Sequence, residues 1–562
     1  MRSTDNCLPG PGAWTLGLAL AASSAALCAQ GVIRQVLGQQ ESAQLGASVA
    51  LLADLDGDGR PEFVAGAPSE DGPFPDTGVV RVWSGANGAL LHSWSGPRTE
   101  AFLGTSVANA GDVDGDGFAD VVAGAPHELV NGPDPGRVFV WSGRTGAELW
   151  RFAGDSAGEG MGISVGGGGD VDGDGYDDLV AGAPYNDVGG TNTGLARVWS
   201  GRTGQVLWSF PGAASTRYTA RAATIAGDVD RDGFADVLVD DRLAERVRVH
   251  SGRTGAVLWT FAPSTSGGGF GTSVAGNVDI DDDGHCDILV GAPLDDGAGP
   301  DAGAAFVFSG RTGLRLLELR LGMAGDGFGA AVSGAGDVDG DGIDDLLIGA
   351  PSAGATDLGA VFVVSGRSAA LLATWPGTQA DERLGDALAG FQDLDDDGFD
   401  DVAIGSPRDS SVFHWSGKVT IRDLGAQGSP ARARRIGTAC AGSDARLPVI
   451  DAPRRPFVGR NLTLGLRGAR SLVPVLLNLG WPTDLPLDAL GMTGCRLYAS
   501  VDLFAFGFTS NAWGMVACVD LPVPNDTALV GTVLGAQAVC WAPGANALGI
   551  TASNGLRLTI GS

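Results

Sequence analysis

A chain of 562 residues is too long for one ordinary domain, and 92 glycines against 7% aromatic residues favour many turns over long helices. The formal charge of −30 would repel a phosphate backbone, so no nucleic-acid partner is expected. Lys418 is the only lysine, which excludes a Walker-type phosphate loop and leaves little scope for Schiff-base chemistry.

Residues 1–29 read as a signal peptide. Arg2 gives a weak positive start, Ala13 to Leu27 is apolar, and Leu27-Cys28-Ala29 places a small residue before a cut at Gln30. A lipoprotein cut before Cys28 would want a small residue where Leu27 stands. No later apolar run reaches the ~20 residues that a spanning helix needs. The expected location is secreted or cell surface, without a transmembrane segment.

From residue 30 to 424 one pattern recurs seven times, with first acids spaced 58, 58, 58, 51, 58 and 56 residues apart. It is clearest in Asp112-Val-Asp114-Gly-Asp116-Gly-Phe-Ala-Asp120, followed by Val121-Val122-Ala123 and Gly124-Ala125-Pro126. Acids stand at positions 1, 3, 5 and 9, and glycine at position 6 allows a sharp turn. Around one point such carboxylates repel unless a cation sits among them, and dense oxygen ligation with irregular geometry suits calcium. The expected ligands are Asp54, Asp56, Asp58 and Glu62; Asp112, Asp114, Asp116 and Asp120; Asp170, Asp172, Asp174 and Asp178; and Asp228, Asp230, Asp232 and Asp236. The remaining copies supply Asp279, Asp281, Asp283 and Asp287; Asp337, Asp339, Asp341 and Asp345; and Asp393, Asp395, Asp397 and Asp401. These 28 acids are a large share of the 66 in the chain, and up to seven structural Ca2+ ions would bring its charge to about −16.

Each copy carries short β-type segments. In the second they are Thr105 to Ala108, Asp120 to Ala123, Arg137 to Trp141 and, after the turn Ser142-Gly143-Arg144-Thr145-Gly146, Glu148 to Phe152. Four strands in such a period fit one propeller blade, so the chain is expected to be all-β, with a seven-bladed β-propeller. Val32 to Leu37 and Lys418 to Leu424 compete for the strand that closes the ring. Hairpin turns alternate between the two ends of a blade, so acidic loops and Ser-Gly-Arg-Thr-Gly turns share one face and the loops after Gly-Ala-Pro the other. From first acid to Ser-Gly takes 30 residues in copies 1, 2, 3 and 5, 28 in copy 6 and 23 in copies 4 and 7. Blades 4 and 7 lie nearly opposite each other, which predicts a trough across the second face, walled by loops such as 185–194 and 294–303.

The repeats resemble the FG-GAP repeat of integrin α-subunit propellers and their bacterial secreted relatives. The first half of the signature is Phe102-Leu-Gly104, Met161-Gly162, Phe270-Gly271, Phe328-Gly329 and Leu384-Gly385. The second half, Gly-Ala-Pro, stands at 66–68, 124–126, 182–184, 291–293 and 349–351, with Gly405-Ser406-Pro407 in the last copy. The fourth copy has Asp240-Asp241-Arg242 instead, and the fifth places Gly276-Asn277-Val278 ahead of Asp279. The resemblance implies that the face after Gly-Ala-Pro binds ligands.

Residues 425–438 read as a Gly-, Ala- and Arg-rich linker, and 439–562 as a C-terminal β-sandwich, from alternating runs such as Leu462 to Leu466 and Leu556 to Ile560. Cys440, Cys495, Cys518 and Cys540 allow three pairings; Cys440 with Cys495 and Cys518 with Cys540 are expected, and Cys286 is expected to be free. The segment is similar to a C-terminal module of secreted planctomycete-type proteins, which implies attachment or sorting; a capping domain without ligand is the alternative.

No catalytic constellation stands out. His92, His127, His250, His285 and His414 are scattered and read as packing residues; the strings around Ser156 and Ser164 match the esterase elbow without its strand-turn-helix setting. The recurring tryptophans, Trp83 to Trp259, read as core. The reading is a calcium-binding adhesion module for an extracellular protein or glycan, and not an enzyme. Two alternatives stand: a propeller-scaffold extracellular enzyme, quinoprotein-like or polysaccharide-active, and a purely structural envelope protein.

Overall fold

The computed structural model describes residues 31–424, apart from 127–134, 214–215, 265, 340, 342 and 396–399, and beyond them the backbone of eleven strands. The expected signal peptide and the side chains of the four C-terminal cysteines lie outside the described residues.

Residues 32–422 form seven four-stranded antiparallel sheets arranged as a seven-bladed propeller. In blade 2 the strands are Ser106–Gly111, Asp120–Ala125, Arg137–Trp141 and Glu148–Ala153, from the axis outward. Every residue of Asp120–Ala125 is buried, because a neighbouring blade covers each face of the sheet; that is why the second strands read as unbroken apolar runs. The cores lie between blades. Val64, Val80 and Val82 of blade 1 pack with Val121, Ala123 and Phe139 of blade 2, and Val122, Val138 and Val140 of blade 2 with Leu179 and Ala181 of blade 3.

The ring closes with both competing segments. Val32–Leu37 is the outer strand of blade 7, and it pairs with Lys418–Arg422, which is the third strand of that blade. Arg34 donates from the closing strand to the carbonyls of Gly85 and Ala86 in the turn of blade 1, across the junction between the two ends of the ring.

The Phe-Gly and Gly-Ala-Pro motifs meet at the seams. Within blade 3 the backbone N–H of Gly162 donates to the carbonyl of Gly182 at 2.9 Å, and across the seam a Cβ on Gly124 of blade 2 would overlap the carbonyl oxygen of Gly162. Blades therefore approach along glycine edges that no side chain could share. A second latch is a backbone bridge from the residue before the Phe-Gly glycine, or before Ala220 in blade 4, to a glycine that precedes the third strand of the previous blade. It joins Leu45 with Gly417, Gly78 with Leu103, Gly136 with Met161, Gly194 with Thr219, Gly303 with Phe328 and Gly359 with Leu384.

Blade 4 departs at both places. Asp240 occupies the glycine position, and no such bridge joins Glu245 to Phe270. Side chains hold this seam instead: Glu245 accepts from the N–H groups of Gly267 and Gly269 at 2.6 and 2.7 Å, and Arg242 donates to the carbonyl of Gly269 and to Thr272.

The strands also correct the trough. Residues 68–78, 126–136, 184–194, 293–303 and 407–417 connect second to third strands at equal length, 351–359 is slightly shorter, and in blade 4 only 242–245 do so. Ser416-Gly417 precedes the third strand of blade 7, whereas Ser84 ends that of blade 1 and Gly85 follows it, so the short interval in copy 7 compared unlike positions. Among the described connections the face has one notch, at blade 4.

Beyond residue 424 all described elements are strands. Arg432–Ile436 pairs with Gly555–Thr559, so the stretch expected as a linker contributes a strand to the C-terminal sheet. That six-stranded sheet continues through Val533–Trp541, Pro474–Gly480 and Phe504–Thr509, and Val449–Asp451, Asn461–Arg467 and Val516–Pro522 form a second sheet. No helix among the described residues is long and apolar enough to cross a membrane.

Candidate metal centres

Each acidic loop joins the first strand of a blade to the second, and its own backbone orders the carboxylates. The position-1 acid accepts from the N–H groups of positions 4 and 6: Gly115 and Gly117 donate to Asp112 at 2.8 and 3.0 Å, and Gly57 and Gly59 to Asp54 at 2.7 and 2.8 Å. Gly117 at position 6 has φ of 90°, the conformation for which the sequence supplies glycine. The position-3 acid accepts from the N–H of position 5, as Asp114 does from Asp116 at 3.0 Å.

The acid at position 9 opens the second strand and is fully buried in all seven blades. It ties the loop together: Asp120 accepts from Val113 N–H at 2.8 Å and from Gly143 N–H of the Ser-Gly turn at 3.0 Å. Asp178, Asp236, Asp287 and Asp345 repeat both contacts. Acidic loop and turn therefore share one face, as expected.

In loop 1, Asp54, Asp56, Asp58 and Glu62 bring carboxylate oxygens within 4.8 Å of one another. In loops 2 to 5 the same spacing gathers positions 1, 3 and 9: Asp112, Asp114 and Asp120; Asp170, Asp172 and Asp178; Asp228, Asp230 and Asp236; and Asp279, Asp281 and Asp287. Position 5 of those loops, Asp116, Asp174, Asp232 and Asp283, stays outside the groups. Gly276-Asn277-Val278 adds no residue ahead of Asp279, which follows Gly271 by eight positions as Asp112 follows Gly104; the register shift between Ala275 and Val278 repeats the one between Gly166 and Gly169 in blade 3, with Asn277 at φ of 60°. In loop 6, Asp337 and Asp345 keep their backbone partners, and in loop 7 Asp401 accepts from Leu394 N–H at 2.7 Å. Asp397 lies outside the described residues.

Burial, with neighbouring acids adding to it, disfavours the charged form of these groups. It pushes Glu62 and Asp178 up to about 9, Asp120 and Asp345 to about 8, and Asp236 and Asp287 to about 7. The Oε1 atom of Glu62 is buried without a hydrogen-bond partner. A buried carboxylate oxygen facing three other carboxylates is the environment that a hard cation relieves, so the donor set fits a divalent ion such as calcium.

The repeated turn arginine was not assigned a role from sequence. Arg144 lies over the Phe118 ring at 4.7 Å and within 4.0 Å of Asp116; Arg202 lies over Tyr176 at 5.2 Å and within 3.8 Å of Asp174; Arg367 reaches Asp341 at 2.7 Å. Its signal was the constant interval of 28 residues between Asp116 and Arg144 and between Asp174 and Arg202.

Of the histidines, His250 is buried and stacked on Phe210, His92 is stacked on Trp94, His414 is stacked on Trp415, and His285 meets the carbonyl of Val229 at 2.7 Å; His127 lies outside the described residues. Ser156 sits in a turn and its N–H donates to Glu159, while Ser164 begins a strand and its hydroxyl donates to the carbonyl of Ala220. Neither stands on a strand-turn-helix elbow. Trp83, Trp141 and Trp199 are buried core residues, and outer-strand tryptophans bond across seams, as Trp208 does to Gly252 O at 2.7 Å. The Cys286 thiol is unpaired, and burial raises it to about 12.

The face opposite the acidic loops carries exposed apolar side chains on most blades: Phe74, Val188, Leu243, Leu294, Val412 and Phe413 in second-to-third connections, and Leu321 and Met323 after blade 5. Leu243, 60% exposed, lies in the blade 4 notch, and its N–H donates to the carbonyl of Arg217 at 3.4 Å, next in sequence to Tyr218, which is edge-on to Tyr185.

Comparison with known proteins agrees with this architecture. The FG-GAP repeat family matches residues 45–83, 103–141, 161–199 and 328–364. Integrin alpha-V of Gallus gallus is 31% identical over 219 residues, which is 35% of this chain and 20% of that protein. Integrin alpha-PS5 of Drosophila melanogaster is 34% identical over 181 residues, 30% of this chain and 18% of the relative, and integrin alpha-6 of Homo sapiens 40% over 155 residues, 26% and 13%. The chain thus spans a fifth or less of the length of these relatives. It carries an FG-GAP repeat propeller of the integrin-α-like type.

Proposed function

We propose that the protein is a secreted or cell-surface binding module, exported by a leader at residues 1–29, whose propeller is braced by calcium on one face and meets a protein or glycan ligand on the other. The calcium ligands are the carboxylates at positions 1, 3, 5 and 9 of the seven loops; those at 1, 3 and 9 converge in loops 1 to 5, with Asp58 among them in loop 1. Calcium here is structural: strands flank the loops where an EF-hand has helices, so no pair of elements is placed to swing open. When bound, it neutralises the buried acids and fixes the turn. Residues 439–562, with the strand at 432–436, form a separate C-terminal unit for attachment.

The observation that carries the binding reading is that exposed Phe74, Val188, Leu243, Leu294 and Phe413 all stand on one loop face, where the blade 4 connection is much the shortest. Apolar side chains collected at loop tips mark an interaction surface. Likeness to integrin α-subunits supports adhesion as the purpose. The test is a screen of the intact protein against arrayed glycans and cell-surface proteins, repeated with Leu243→Ser and Leu294→Ser combined. Loss of the captured ligand with an unchanged melting temperature supports the notch; undiminished capture refutes it.

A further inference from the structure

On the loop face blade 4 departs from the other copies in charge as well as in length. Arg242 holds the place of a proline that stands in all six other copies, as at Pro68 and Pro184. Arg221 follows Ala220, where the other copies follow their glycine with an uncharged or acidic residue, as at Ala47 and Asp386; Arg217 stands three places before Ala220, where copies 1 and 3 have Ala43 and Glu159. The nearby acids are taken or withheld. Asp241 accepts from Arg248 and from the Thr219 hydroxyl at 2.8 Å each, Glu245 holds the N–H groups of Gly267 and Gly269, and burial pushes the Asp240 carboxyl up to about 7. Among the described residues no carboxylate forms an ion pair with Arg217, Arg221 or Arg242, whereas Arg246 and Arg248 both face Asp241.

The three arginines border one aromatic cluster. Arg221 is exposed and donates to the Tyr185 hydroxyl at 3.3 Å; Tyr185 is edge-on to Tyr218 with ring centres 5.9 Å apart; the Arg217 guanidinium lies 5.9 Å from the centre of the Tyr218 ring. Burial holds Arg242 below the usual guanidinium range, and the nearby Arg221 charge lowers it further. Connections 184–194 and 293–303 of the flanking blades stand on either side of 242–245. Elsewhere the face is acidic, as with Glu70, Asp71 and Asp76 in blade 1 and Asp295, Asp296 and Asp301 in blade 5.

We infer that the blade 4 notch is a subsite for an acidic glycan, in which Arg217 and Arg221 hold the carboxylates of one or two uronate residues and Tyr185 and Tyr218 meet their rings. This names a ligand class for the binding face and rests on that reading. A guanidinium matches a carboxylate with two parallel donors. A sugar ring offers C–H groups on its face and the carboxylate at its edge, which suits tyrosine rings set beside arginines. The chain's formal charge of −30 opposes a long polyanion, but at physiological salt it is screened beyond about 8 Å, which confines recognition to one or two acidic sugars.

The test is calorimetric titration of the intact protein, at fixed calcium, with galacturonate trimer and hyaluronan tetrasaccharide, and with methyl-esterified galacturonate trimer and hexaglutamate as comparisons. At least one uronate should bind, with the ester and the peptide about tenfold weaker or worse. Arg217→Gln and Arg221→Gln should each weaken that uronate about tenfold. Arg408→Gln, in the blade 7 connection, should leave it unchanged, and melting temperatures confirm the fold of each variant. No uronate binding, an ester or peptide that binds equally well, or an unchanged Kd in both blade 4 variants would overturn the inference. So would a ligand from the array screen that needs Leu243 but neither arginine, and that result would leave the binding face itself standing.

Discussion

The indole N–H of Trp150, on the outer strand of blade 2, donates to the carbonyl oxygen of Gly201, in the turn of blade 3, at 2.6 Å. Trp94, Trp208 and Trp259 make the same reach to Gly146, Gly252 and Gly310. The outer rim is therefore stitched from blade to blade. Trp150→Phe keeps most of the ring's packing and removes the donor, and it should cost about 1 kcal/mol. Urea unfolding of the intact chain checks this; a variant as stable as wild type would show that the bond contributes nothing net.

Calcium should hold the propeller together. Extracellular calcium modules bind with constants of roughly 0.1–1 mM, so at ten times the constant each site adds about 1.4 kcal/mol and seven independent sites on the order of 10 kcal/mol. Thermal unfolding with excess calcium and with chelator should differ by many degrees. Superimposable curves would mean that these loops are not structural calcium sites.

A pH dependence follows from the buried position-9 acids. In chelator the folded protein keeps their protons up to about 8 at Asp120 and about 9 at Glu62, while the unfolded chain releases them near 4. Between those limits the folded state binds more protons, so stability should fall as pH rises from 5 to 9. Saturating calcium ionises the folded carboxylates as well and should flatten the slope. Melting temperatures across that range, with and without calcium, decide the matter; a rise with pH in chelator would contradict it.

Asp240 tests the unusual blade 4 seam. Its Oδ1 accepts from Ala222 N–H at 2.8 Å, but its Oδ2 is buried without a partner, and burial raises the carboxyl to about 7. A raised acid destabilises the fold as pH rises through that value. In saturating calcium, Asp240→Asn should match wild type near pH 4 and be more stable at pH 8, by on the order of 1–3 kcal/mol. Equal stability at both pH values would show that the seam tolerates the charge.

Lys418 lies buried between Glu382 and Asp409, at 2.5 and 2.8 Å. Lys418→Met would leave two buried carboxylates facing each other and should cost about 3–5 kcal/mol. Chemical denaturation of the variant measures it, and a loss below about 1 kcal/mol would place the triad among solvent-screened pairs.

The repeat was legible because one short-range rule fixes each blade: acids at positions 1, 3, 5 and 9 fold back on loop N–H groups only a few residues away, as Asp112 does on Gly115 and Gly117. The apolar second strands, such as Asp120–Ala125, and the even period then imply blades, and seven copies imply the ring. What the sequence alone did not determine depends on pairs far apart along the chain. Val32–Leu37 had to find Lys418–Arg422 to close the ring, nearly four hundred residues away. Ser416-Gly417 looked like a late turn and proved to be an early one, because strand pairing, not the dipeptide, sets its place. The seating of Arg144 over Phe118 and beside Asp116 was invisible for the same reason: which ring and which acid a turn arginine meets is decided by which turn folds over the loop, and only the tertiary structure brings that turn there.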